Sequence, residues 1–332
     1  MNKLPREIIY QFIDKKNSIV CHLWHIIWCT KPMAIKIPSI DAHPSSYKNC
    51  PMNTFNKLKN LIELPLYQYC KLDDGIIESL TTLKTLQIYT NNFVTDETLK
   101  HLTNLTSLTL VYNNTITYES LKYLTNIVDL SINYNYIITD DALKILPNIT
   151  KLDIGNANLI TDMSHFTKLK KLSLTNSWVR DESLMCLTQI KSISITGCLY
   201  VTGKSIKNLT NLTSITLDGV RDITYESLKY LTNLKSMKVR DIKLVDDELK
   251  KLTTLESLSL SGKISVTGRS LRCLTRLKML SLFEKMQITT EDVCELINLE
   301  SLSIDKKIRI NCDVICNLLS KLEKINYTGR YF

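Results

Sequence analysis

One phrase governs what this chain can fold into. L-x-x-L-x-x-L-x-L, with Ile, Met, Val or Phe as occasional replacements, returns every 20 to 23 residues. It reads "LTTLKTLQI" at 80–88, "LTNLTSLTL" at 102–110 and "LTTLESLSL" at 252–260. The apolar residue that opens the final L-x-L marks the phase. It falls at Leu64, Leu86, Leu108, Leu130 and Leu152, then onward to Leu302 and Ile325, giving thirteen units. A fixed period of this length is the signature of a stacked array, because one unit cannot bury its own apolar edge.

Each unit predicts the same local structure. L-x-L alternates, so it forms a short strand with both apolar side chains inward. A polar turn follows, then "ITDE" or "ITYE", then "SLKYL". Thr117 suits the N-cap of a short helix, with Glu119 favoured in its first turn. Leu121 and Leu124, three apart, return to the core. Strands about 4.8 Å apart then build a parallel sheet. "ITYESLKYLTN" occurs twice, at 116–126 and 223–233, five repeats apart. That is duplication of scaffold on the outer side, not a catalytic motif.

The pattern resembles the leucine-rich-repeat family over residues 58–327. Gly197-Cys198 and the "ITD-x-x-L-K-x-L" half are similar to the cysteine-containing repeats that often follow an F-box. The implied fold class is α/β: a leucine-rich-repeat solenoid, with a curved parallel sheet inside and short helices outside.

Ahead of the array stands "LPREIIYQFIDKKNSIVCHLWHIIW" at 4–28. Leu4-Pro5 followed by Ile8, Ile9 and Phe12 starts an amphipathic helix. Ile19, Val20, Leu23, Trp24 and Ile27 share a later helical face. Leu-Pro-x-Glu-Ile-Ile and Val-Cys-x-x-Trp resemble the two ends of an F-box. "IDKKNS" stands where that family has a middle helix, so the correspondence extends to the ends alone. The resemblance implies that Leu4, Pro5, Ile8, Ile9 and Trp24 meet a Skp-type adaptor, and through it a cullin ubiquitin ligase. The other reading is a plain helical cap over the first repeat. The expected domains are a small helical F-box-like segment at 1–30, a linker or N-terminal cap at 31–57 and the solenoid at 58–332.

Charge and composition narrow the function. The net charge is +9, with Lys interleaved among Asp and Glu and no basic run, so nucleic acid is not the expected partner. The apolar stretch Ile19–Cys29 is far short of the ~20 residues needed to span a bilayer, and charges in the first residues argue against an export signal. No membrane partner is expected. The ten Cys are irregularly spaced, which suits reduced thiols in a cytoplasmic or nuclear setting. Sequons such as Asn104-Leu105-Thr106 fall inside the repeated phrase and read as its by-products.

Chemistry is thinly signalled. Cys21, His25 and Cys29 lie four apart, with His22 and Cys50 as conceivable additions to a metal set. Filling of a helix face explains them better, and Cys312 and Cys316, four apart in the last outer helix, are expected in the core. No phosphate loop, His-Glu-x-x-His or Gly-x-Ser-x-Gly is present. The expectation is a non-enzymatic adaptor with no cofactor and no metal, its repeats binding a target protein. The candidate target-binding residues lie on the concave sheet face. They are Tyr67, Tyr89, Tyr112 and Tyr134 towards the start, and Lys238, Arg240 and Phe283 further on, since Tyr and Arg dominate binding hot spots.

Overall fold

The computed structural model describes residues 61–66, 74–220, 223–284, 286–308 and 310–328, with the backbone of 33–34. The chain divides into two compact units, Met1–Ile149 and Thr150–Phe332. In the first, β1 (Met33–Ala34), β2 (Leu61–Leu66), β3 (Thr85–Tyr89), β4 (Ser107–Val111) and β5 (Asp129–Asn133) follow one another. In the second come β6 (Lys151–Gly155), β7 (Lys171–Thr175), β8 (Ser192–Thr196), β9 (Ser214–Asp218) and β10 (Ser236–Arg240). They continue as β11 (Ser257–Ser261), β12 (Met279–Leu282), β13 (Ser301–Asp305) and β14 (Lys324–Thr328). Within each unit strands pair in parallel with their sequence neighbours, and the register aligns repeat on repeat: Leu86 with Leu108, Leu108 with Leu130, Ile193 with Ile215.

Period 2 in the sequence becomes two sheet faces. In β3, β4 and β5 the second and fourth residues, all Leu or Ile, are buried and the other three half-exposed. Short helices, such as Asp96–Leu99 and Tyr118–Leu121, return Leu99, Leu121 and Leu124 to the core at 0% exposure. The spacing of 20 between Leu152 and Leu172 has a structural reading. No helix separates β6 from β7; turns carry Met163 and Phe166 into the core instead.

Polar side chains bind repeat to repeat in three places. At the exit of the first unit's strands, Asn91, Asn113 and Asn135 are wholly buried. Asn113 Nδ2 donates to the carbonyl of Asn91 at 2.7 Å, and its Oδ1 accepts from the Ile116 N–H at 3.1 Å. Asn135 repeats both bonds one unit on, to Asn113 and from Ile138. In the second unit Ala157, Ser177, Cys198, Val220 and Ile242 are the buried residues at this step. Cys198, from the Gly-Cys pair, donates to the Thr196 carbonyl at 3.5 Å, and burial raises its thiol pKa.

The second stitch uses a helix-start carboxylate. Asp96 accepts from the Thr117 N–H at 2.8 Å, from Thr117 Oγ1 at 2.6 Å and from Ser120 Oγ at 2.5 Å. Asp181 does the same for Thr202 and Ser205, and Asp246 for Thr267 and Ser270. The Thr in turn caps its own helix: Thr117 Oγ1 accepts from the Glu119 N–H. The third stitch is the Asn of "LTNL". Asn104, Asn126, Asn211 and Asn233 each donate to a carbonyl 23 residues back. Asn104 and Asn211, the sequon residues, thus use their amide nitrogens in the scaffold.

The duplicated string shows how far neighbours decide. In its first copy Ser120 bonds Asp96. In the second, position 203 is Gly, and Ser227 Oγ turns back to the Thr224 carbonyl at 2.6 Å.

Two stability outcomes follow. Asn113→Ala strands the Asn91 carbonyl and the Thr115 and Ile116 N–H groups. A denaturant titration should show a loss of about 3 kcal/mol, since each buried orphan costs about 1–3 kcal/mol. An unchanged midpoint would contradict the ladder.

The second outcome concerns pH. Burial pushes the Asp246 carboxyl up, but bonds from Thr267 and Ser270 outweigh it and hold it below its ordinary value. The unfolded carboxyl, near ~3.9, then binds its proton more tightly than the folded one. This stabilisation is complete above the unfolded value and is lost as pH falls through the lower folded value. Asp246→Asn should flatten the acid limb of the stability–pH curve relative to wild type.

Candidate binding faces

The expected site residues divide by position. Leu4, Pro5, Ile8, Ile9, Trp24 and Tyr67 lie outside the described residues. Tyr89, Tyr112, Tyr134, Arg240 and Phe283 lie at or just past strand ends, and Lys238 lies mid-strand in β10.

The tyrosines do not form one row. Tyr89 is the last residue of β3, in register with Val111, and its hydroxyl donates to Gln87 Oε1 at 3.4 Å. Tyr112 and Tyr134 sit one step later, in the turn. Their rings stack with centroids 4.1 Å apart and planes 8° from parallel. Burial, then the hydroxyl of Tyr134, pushes the Tyr112 phenol above its usual pKa.

That turn position is conformationally costly. Its residue must leave the strand sharply while its N–H still donates to the next strand. Tyr112 donates to the Asn133 carbonyl at 2.9 Å, Asn176 to Thr196 at 2.9 Å and Gly197 to Asp218 at 3.0 Å. All adopt positive φ. Gly197, Gly219 and Gly262 do so freely, and Asn156, Asn176 and Asp241 belong to the tolerant polar types. Thr90 at φ 52°, Tyr112 at φ 51°, Tyr134 at φ 53° and Glu284 at φ 67° do not, and of these only the two tyrosines face each other as a stacked pair. The left-handed region costs an ordinary residue about 1–2 kcal/mol, whereas one aromatic pair returns about 0.5–1.5 kcal/mol. Two such costs against one stack leave a net loss, so stability alone does not explain these tyrosines. The sequence placed them near the face; the strain is a feature it does not display.

The patch further on is less basic than its sequence. Arg240 Nε lies 3.8 Å from Asp218 Oδ1 and 3.6 Å from Asp241 Oδ2. Burial draws the Lys238 ammonium pKa down, and Asp218 pulls against it. Two carboxylates therefore stand beside the two cations. Phe283, half-buried, is two strands further along from Arg240, with the buried Ser261 in the row between them.

The sequence reading missed an exposed apolar group on loops of the second unit. Trp178 is 52% exposed, Leu199 63% and Tyr200 45%. Trp178 meets Tyr200 edge-on at 6.4 Å, and the Arg180 guanidinium lies 5.5 Å from the Tyr200 ring centre. The signal was legible: aromatic and aliphatic residues where the period calls for turn polars. On the outer helices, Cys312 is half-exposed and Cys316 exposed, against the expectation that both fill the core. Among the described residues no group of three or more His, Cys, Asp or Glu could hold a metal ion. Asp96, Asp181 and Asp246 are committed to the scaffold.

No family model matches the chain, and no curated protein matches it. Solved structures match its fold. A Listeria monocytogenes internalin is 24% identical, with 83% of this chain and 89% of that one covered and a TM-score of 0.58. Rad7 in complex with Elc1 from yeast gives 17%, 81%, 81% and 0.56. A leucine-rich-repeat protein of Leptospira interrogans gives 18%, 82%, 91% and 0.52. With the thirteen-unit period and its parallel strands, these define the fold as a leucine-rich-repeat solenoid.

Tyr112→Asn should leave the thermal midpoint unchanged or raise it, because Asn tolerates the turn that Tyr does not. A fall of several degrees would mean that the stack serves the fold.

Proposed function

We propose that the protein is a non-enzymatic interaction scaffold whose open sheet face holds a target protein. Its N-terminal segment is an F-box derivative that presents the target to a Skp-type adaptor and a cullin ubiquitin ligase. The observation that carries the face assignment is the stacked pair Tyr112–Tyr134, kept in a backbone conformation that costs more than the stack returns. Backbone strain concentrates at binding sites, and this pair adds an exposed aromatic surface to it. Tyr is also rigid and amphipathic, which suits a hot spot.

Lys238, Arg240 and Phe283 form the second contact zone. With Asp218 and Asp241 beside the cations, this zone reads a partner by paired charges, which sets orientation more than affinity. The solved neighbours support the class: the yeast one was determined as a complex of Rad7 and Elc1. The adaptor link rests on the Leu4-Pro5…Ile8-Ile9 and Trp24 resemblance. The competing reading keeps the scaffold and makes residues 4–28 a cap, favoured by the "IDKKNS" that replaces the middle helix.

Capture with a purified Skp-type adaptor separates the two. The full chain should be retained, and Leu4→Ala with Trp24→Ala should lose at least about tenfold in affinity, as expected for removing two interface anchors. No retention, beside an F-box protein that is retained, would leave the cap reading. Proximity labelling in the native host with wild type and Tyr112→Asn/Tyr134→Asn tests the face. Equal labelling of every protein by the two would remove the tyrosines from target binding.

A further inference from the structure

The exposed loop residues of the second unit make a surface separate from the open sheet face. Parallel register brings the loops after β7 to β13 to one edge. At one end of that edge stand Trp178, Leu199 and Tyr200, with Arg180 against the Tyr200 ring. Further along, the corresponding loops carry Lys243, Lys263, Lys306 and Lys307, all exposed. The carboxylates nearby are engaged by the scaffold, though each keeps its negative charge. Asp241 stands by Arg240 and accepts from the Lys263 N–H. Asp246 holds Thr267 and Ser270, and the buried Asp305 accepts from the Lys307 N–H. Glu284, half-exposed, is the acidic residue in the β12 loop.

We infer that this edge rests on an anionic lipid bilayer, with Trp178, Leu199 and Tyr200 entering the headgroup layer and the lysines facing acidic headgroups. Three features favour a bilayer over a peptide. The apolar side chains sit on successive loops and are about half exposed or more. A helix needs a groove to receive its apolar face, whereas a fluid interface closes around single protruding side chains. Trp and Tyr are the residues that prefer that interface. The row runs about 30 Å at ~4.8 Å per strand, with lysines along it where surface potential acts within a Debye length. Among the described residues no helix is long and apolar enough to cross a membrane. A peripheral surface requires none, so the expectation of no membrane partner, which rested on span length, does not bear on it.

The test uses the full chain and sedimentation with two vesicle types, phosphatidylcholine alone and phosphatidylcholine with phosphatidylserine. Wild type should pellet with the mixed vesicles and hardly at all with the neutral ones, and added salt should weaken it. Trp178→Ser/Leu199→Ser should reduce partitioning by about tenfold or more. Lys243→Glu/Lys263→Glu should also cut it at least about tenfold. Ile297→Ser removes an equally exposed apolar residue from the turn before β13 and should change nothing. Circular dichroism and melting curves confirm that each variant folds. Failure to pellet, equal pelleting with neutral vesicles, or wild-type binding by the Trp178/Leu199 variant overturns the proposal. Adaptor capture is read separately, so its outcome does not decide this one.

Discussion

A parallel strand leaves hydrogen-bonding groups unmet at each side, and a unit of about 22 residues has no second strand of its own to meet them. Everything else in the molecule answers that constraint. The ladder satisfies the strand itself. Beyond it the chain must turn outward, and the turn residue takes a left-handed conformation so that its N–H still reaches the next strand. Asn91, Asn113 and Asn135 then carry the bonding into the turn. Asp96, Asp181 and Asp246 carry it to the helix starts. The "LTNL" asparagines carry it to the return. Apolar stacking supplies the drive, and the polar stitches fix the register.

The apolar half of this was plain in the sequence. Leu86, Leu108 and Leu130 recur at one spacing, and the structure places them at one register position. The two-residue deletion before Leu172 was visible too, though not that it removes a helix. The polar half was hidden because its partners are a repeat apart. Asp96 reads locally as a first-turn acid, and only the fold shows it holding Thr117 and Ser120. The same holds for Asn113, whose four neighbours give no hint that Asn91 is its acceptor. Periodicity reports what each position is, and packing decides with whom it bonds.

Function follows from departures from the pattern. Where most later repeats use Gly, Asn or Asp at the turn, two early ones use a stacked pair of Tyr. Where a loop calls for small polar residues, Trp178, Leu199 and Tyr200 stand exposed. Each departure is measured against the other repeats of the same chain, an internal control that non-repetitive folds lack. The Lys238–Arg240 zone shows the converse. It looks basic as text, yet Asp218 and Asp241 come from the adjacent strand and the adjacent residue to offset it.

The reach of the "LTNL" asparagines has a further implication. Asn104 bonds Thr81 and Asn126 bonds Thr103, always the equivalent carbonyl one repeat back. Excision of one whole repeat would hand each amide an identical acceptor, and insertion of one would do the same. A change of a few residues would misalign the contact. The array can therefore lengthen or shorten in whole-repeat steps while its local bonding pattern is conserved, and the five-repeat echo of "ITYESLKYLTN" is what such growth leaves behind.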